Sequence, residues 1–81
     1  VGISMNEFCL SNIDLDTKAI IKKINADDSI KRRLFDMGLT PGTIVQKKLK
    51  NFSGNMYAYM VRGALIAIRN DDANEILVEV I

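Results

Sequence analysis

The sequence has no histidine, no tryptophan and one cysteine, and each absence closes off some chemistry. Without histidine there is no imidazole general base, no His-based triad and no zinc cluster of the usual kind. Cys9 has no second thiol to pair with, so an internal disulfide is excluded and a reducing, cytoplasmic compartment is expected. Lacking a Cys-x-x-Cys partner and set between Phe8 and Leu10, Cys9 reads as a small buried hydrophobe. Gly38, Gly42, Gly54 and Gly63 are too dispersed for a phosphate loop, and each has a turn explanation. The expectation is a protein that is not an enzyme.

Two further features are missing. No apolar run approaches the ~20 residues needed to cross a bilayer. The start, VGISMNEF, lacks a positive region followed by an apolar one, so it does not read as a signal peptide. Val1 is not an initiator; either Met5 is the native start behind a four-residue remnant, or the segment is cut from a longer chain. Charge of one sign is also scarce: 11 Lys and Arg against 10 Asp and Glu give a net charge of +1. That argues against avid, non-specific nucleic-acid binding, which runs on a cationic excess. With 81 residues, 48% of them hydrophobic, the chain reads as one folded domain over 1–81. Its core is too small to house a buried cofactor or a deep pocket.

What is present is a series of short apolar strands. KAIIKKIN (18–25), TIVQKKLK (43–50), MYAYMVR (56–62), ALIAIR (64–69) and ILVEVI (76–81) all read as strands. NFSGN (51–55) reads as a glycine-containing hairpin turn between the second and third of these. In the third, Met56, Ala58 and Met60 point one way and Tyr57, Tyr59 and Val61 the other. In the last, Ile76, Val78 and Val80 point inward. DSIKRRLFDMG reads as a short helix, with Ile30, Leu34 and Met37 on one face and Asp28 or Ser29 as N-cap. NDDANE (70–75) reads as one helical turn capped by Asn70, with Asp71 and Asp72 at its positive end. About five strands with tight turns and one embedded helix describe a mainly β fold, a small SH3-like antiparallel barrel whose closure removes the strand edges.

The stretch RRLFDMGLTPG (32–42) is the most sharply punctuated in the chain. Gly38 sits where a helix end needs a left-handed residue, and Leu34 and Leu39 then occupy the two positions that meet in a Schellman motif. TPGT fits a type II turn, with Pro41 presetting φ and Gly42 supplying a positive φ. This half of the corner is structural. The other half is not so explained: Lys31, Arg32 and Arg33 crowd the first turn of the helix, where the macrodipole disfavours cations. Asp36, four residues after Arg32, is the poorer orientation for a helical ion pair. Either the cations form a solvated face balanced by Asp27 and Asp28, or Arg32 and Arg33 meet a partner, arginine being favoured at interface hot spots.

RRLFDMGLTPGTIV resembles the signature of the FeoA family of bacterial ferrous-iron transport accessory proteins, an R-R-L-x-x-M-G-L-x-x-G-x-x-V run. VRGALIAIRNDDANEILVEV is similar to the family's closing segment, and LSNIDLDTKAIIKKI to its opening, so the resemblance runs from about Leu10 to Val80. There are two departures: KNFSGNMYAY lacks the proline common in the family's middle loop, and Asp16 and Thr17 stand where a glycine is usual. The resemblance implies an SH3-like barrel. It also implies a cytoplasmic protein that binds and regulates FeoB, the membrane permease with a G-protein domain, at the inner face of the membrane. On that reading Arg32, Arg33 and Leu39 contact the partner, while Leu34, Gly38, Pro41 and Gly42 fix the corner's shape. A similar fold is appended to iron-dependent repressors of the diphtheria-toxin-repressor type, so a regulatory domain of such a repressor is the alternative.

Because the family is associated with iron, metal binding bears weighing. The carboxylate clusters are Asp14/Asp16, Asp27/Asp28 and Asp71/Asp72/Glu75, and the last two already have capping or dipole roles. Without imidazole they suit at most a weak surface Fe²⁺ site. No cofactor is expected. A third reading, a small-barrel nucleic-acid binder, rests on Tyr57 and Tyr59 sharing a strand face as a stacking platform. Cross-strand packing is the simpler account of that pair.

Overall fold

Period-2 runs of isoleucine and valine bury one face and leave the other wet, and in the computed structural model they pair into a single antiparallel sheet. The structure describes residues 7–50 and 55–81. The elements are β1 (Glu7–Cys9), a 3₁₀ turn (Leu10–Asn12), β2 (Lys18–Ile24), α1 (Asp28–Asp36), β3 (Ile44–Lys50), β4 (Met56–Val61), β5 (Ala64–Arg69), α2 (Asn70–Ala73) and β6 (Ile76–Val80). Strand order is β1-β6-β2-β3-β4-β5. The strands read from sequence are all present, but there is one more: β1 pairs Glu7–Cys9 with Glu79–Leu77. Three residues are too few to carry an alternation signal.

The sheet wraps one core that includes Leu10, Ile21, Leu34, Leu39, Tyr59, Ile68, Ile76 and Val78. Tyr59 is fully buried, and its hydroxyl donates across the core to the Leu10 carbonyl (3.4 Å). Burial raises the pKa of that phenol, with a smaller push from Tyr57. The ladder does not close: among the described residues β1 and β5 stand at its two ends, so both remain edges. β1 is blunted by its brevity. β5 is six residues long and pairs in unbroken register with β4. Cys9, at the end of edge strand β1, is half-buried rather than buried.

Two local features carry the chain's turns. Asp16 adopts φ 68° in the tight turn before β2, a left-handed conformation that aspartate tolerates, which explains how it stands where the family uses glycine. Arg62 and Gly63 both have positive φ (51° and 83°) and form the two-residue hairpin between β4 and β5. The hairpin expected at NFSGN lies outside the described residues apart from Asn55, as does Met5.

Candidate functional site

The basic shoulder is built on α1, whose cap lies one residue before the first of the two expected caps. Asp27 is the N-cap: its Oδ1 accepts from the Ile30 backbone N–H (3.1 Å) and from Ser29 Oγ (3.0 Å). These bonds stabilise the carboxylate form, so the Asp27 pKa lies below its ordinary value, the Ile30 amide being the largest cause. Asp28 is the first helical residue instead, where its charge suits the dipole. Leu34 is fully buried, and Ile30 and Met37 pack half-buried against the same core, so the apolar stripe faces inward.

The helix stops on a complete Schellman motif. The Leu39 amide donates to the Leu34 carbonyl (3.0 Å) and the Gly38 amide to Phe35 (2.9 Å), with Gly38 at φ 91°. Thr43 N–H then bonds back to the Thr40 carbonyl (3.0 Å) around Pro41 and Gly42, and Gly42 has φ 92°. The Thr40 and Thr43 hydroxyls lie 3.0 Å apart. Arg62 joins the corner to the β4–β5 turn by donating to Thr43 Oγ1 (3.2 Å) and Thr40 Oγ1 (3.5 Å).

Leu39 is a correction. It was expected to contact a partner, but it is 0% exposed, because the Schellman geometry that brings it to Leu34 carries both side chains into the core. The surface at the corner is made by others. Arg32 is exposed and forms no ion pair among the described residues; its helical neighbour Asp36 does not bridge to it. Arg33 is 56% exposed at its side chain, yet its guanidinium reaches Asp72 on α2 (2.8 Å). That contact aims Arg33 without burying it. Phe35, 41% exposed, lies on the same helix, three residues after Arg32.

α2 differs from expectation. Arg69 occupies its cap position without a side-chain cap bond, and Asn70 is the first helical residue. The Asn70 amide is bonded to the Asn55 carbonyl (2.9 Å). Asn74 instead ties the turn to the 3₁₀ segment, accepting from Ser11 Oγ.

One side chain escaped sequence reasoning altogether. Lys47 is 4% exposed, and its ammonium donates to the carbonyls of Ser11 and Ile13 (2.9 Å each) while sitting 4.0 Å from the Tyr57 ring centre. Desolvation lowers its pKa, opposed by the charge of Asp14. Val45 faces inward, so period 2 aims Lys47 inward as well; the bulge that follows it turns Leu49 out to solvent. With Tyr59 in the core and Tyr57 under Lys47, the two tyrosines offer no open stacking platform.

Among the described residues, no three His, Cys, Asp or Glu side chains come together to hold a metal ion. Asp16 is paired with Lys48 (3.2 Å), Asp72 with Arg33, and Asp27 is committed to its helix. Among the same residues, no helix is long and apolar enough to cross a membrane.

Comparison with known proteins follows this architecture. The family model described as FeoA domain matches residues 8–80. No curated protein sequence matches. The NMR structure of a FeoA-like protein from Clostridium acetobutylicum superposes with a TM-score of 0.85 at 27% identity, covering 96% of this chain and 91% of that one. The crystal structure of an iron uptake regulatory protein (FeoA) gives 0.80 at 27% identity, covering 93% and 97%. IdeR from T. acidophilum has the same fold in part of its length: TM-score 0.82, 24% identity, 100% of this chain but 37% of that one.

Proposed function

From a chain that belongs to the FeoA domain family, we infer a non-catalytic interaction module serving bacterial ferrous iron uptake, in which it regulates the FeoB permease by binding the permease's cytosolic part. The observation that carries this reading is the family match over nearly the whole described fold. On this account the protein works in the cytoplasm, at the inner face of the membrane through its partner. The contact surface is the shoulder of Arg32 and Arg33, with Phe35 in place of the buried Leu39.

Two physical features support that surface. Arg32 is an exposed cation at the middle of the nine-residue α1, with Arg33 in its last turn rather than both in the first turn as expected, and Arg32 forms no ion pair among the described residues. Arg33 is held by Asp72 in one orientation while its side chain stays more than half exposed, so less rotamer freedom is lost on docking. Leu34, Gly38, Pro41 and Gly42 act behind the surface by fixing where α1 ends. No cofactor is used. Iron, if it touches the domain, does so weakly at surface carboxylates, and calorimetry is expected to give no sub-micromolar Fe²⁺ binding.

Reversing both charges (Arg32→Glu with Arg33→Glu) in a strain dependent on this system is expected to abolish ferrous-iron uptake while the purified variant melts as a folded domain. Full uptake by the folded variant would show that the arginines are merely solvated. The fold shared with T. acidophilum IdeR favours one second reading, a regulatory domain of an iron-dependent repressor. A DNA-binding helix-turn-helix domain in the same reading frame would decide for it.

A further inference from the structure

The outer face of the sheet carries a groove built from residues other than the arginine shoulder. Its lining includes Lys18 on β2, Ile44 on β3, Met60 on β4, Arg62 at the β4–β5 turn, and Ile81. The volume is about 500 Å³, within the ~300–1,000 Å³ typical of ligand sites. Cross-strand pairing puts Leu65 beside Met60, so the apolar surface continues onto β5. Ile44, Leu65 and Ile81 are 52%, 52% and 72% exposed. The three large aliphatic side chains share one face about a groove rather than being scattered singly over the surface.

Charge says what kind of occupant fits. Among the described residues, no carboxylate side chain lines the groove. Arg62 donates to two threonine hydroxyls and to no carboxylate among the described residues, which leaves its charge uncompensated, and Lys18 has no ion pair among them. Glu79, on the neighbouring strand, is already paired with Lys22 (3.5 Å). A second copy is a poor occupant, because a two-fold contact through this face would set Lys18 and Arg62 against the same cations. Nor does a nucleic acid fit, since no aromatic ring among the described residues lines the groove for bases to stack on.

We propose that this groove is a docking site for a short apolar segment of a partner protein that carries aspartate or glutamate between its apolar residues. The apolar side chains fill the space over Ile44 and Met60, and the acids meet Lys18 and Arg62. This stands whether or not the iron-uptake reading holds, because it uses none of the residues of the shoulder.

The test uses the whole chain and two synthetic peptides with identical leucine positions, one with aspartates between the leucines and the other with lysines. Binding is read by fluorescence anisotropy at ~0.15 M salt, where exposed charges are screened beyond about 8 Å. The aspartate peptide is expected to bind saturably and the lysine peptide not. Ile44→Asp should weaken binding at least ~tenfold, and Lys18→Glu should shift preference toward the lysine peptide. Both positions are exposed, so unchanged melting curves confirm that the variants are folded. Equal binding of the two peptides, no binding by either, or full binding by Ile44→Asp overturns the proposal. Sedimentation showing a dimer that Ile44→Asp dissolves would assign the face to a second copy, and binding to phosphatidylglycerol vesicles lost in the same variant would assign it to a membrane; either result also overturns it.

Discussion

Replacing Gly38 with alanine is the sharpest probe of the corner, because the two accounts of that glycine predict opposite signs. Gly38 has φ 91°, and an added Cβ would meet Val61 Cγ1 at 3.7 Å and Arg62 Cδ at 3.9 Å, ordinary van der Waals distances. The new methyl is therefore accommodated by space, and the whole cost is conformational. A left-handed backbone costs a residue with a Cβ roughly 1–2 kcal/mol. For a domain of 60–100 residues each kcal/mol moves Tm by about 4–8 °C, so Gly38→Ala should lower Tm by roughly 5–15 °C. Gly42, at φ 92° with nothing within 4 Å of its hypothetical Cβ, should show a loss of the same size. Circular dichroism melts of both variants give the comparison. Were Gly38 an ordinary helical residue, alanine would raise stability by about 0.5–1 kcal/mol. An unchanged or raised Tm refutes the Schellman account, and a Gly38 loss several times that of Gly42 refutes the claim that crowding plays no part.

Other perturbations have equally definite outcomes. Lys47→Met removes the donor to the buried Ile13 carbonyl and the half-buried Ser11 carbonyl and the cation over Tyr57; allowing for the lysine desolvation it relieves, the loss should be about 2 kcal/mol in urea unfolding, and a neutral or stabilising result would show that desolvation outweighs the bonds. Asp27 has a folded pKa below its ordinary 3.8, so its stabilisation is full above that pH and disappears as pH falls through the lower folded value; Asp27→Asn keeps the cap but should flatten this part of the acid limb of a Tm-versus-pH curve. A double-mutant cycle on Arg33 and Asp72 should give a coupling of less than ~1 kcal/mol, as expected of an exposed pair, and a larger value would make Arg33 part of the fold rather than of the surface.

Much of this architecture is legible in the residues because it is encoded locally. Gly38, Pro41 and Gly42 each impose a backbone conformation on their own position, and the i, i+4, i+7 spacing of Ile30, Leu34 and Met37 declares the buried face of α1. What escaped is non-local or close to the limit of the pattern. β1 is a strand only because β6 lies beside it. Lys47 points inward by strict alternation, but a lysine at an inward position makes sense only once the Ser11 and Ile13 carbonyls, more than thirty residues away, are seen to converge on it. Arg33 and Asp72 are 39 residues apart, and nothing in either segment announces the other. The burial of Leu39 was implicit in its pairing with Leu34: a hydrophobic contact that closes a helix cannot also be presented to a partner.

Whether the domain is an interaction module is tested most directly by titrating it against the purified cytosolic part of FeoB, by calorimetry at ~0.15 M salt. The account predicts saturable binding by the native chain and at least ~tenfold weaker binding by the Arg32→Glu, Arg33→Glu variant with an unchanged melt. Equal affinity for the native and reversed proteins, or no interaction by either, would contradict it.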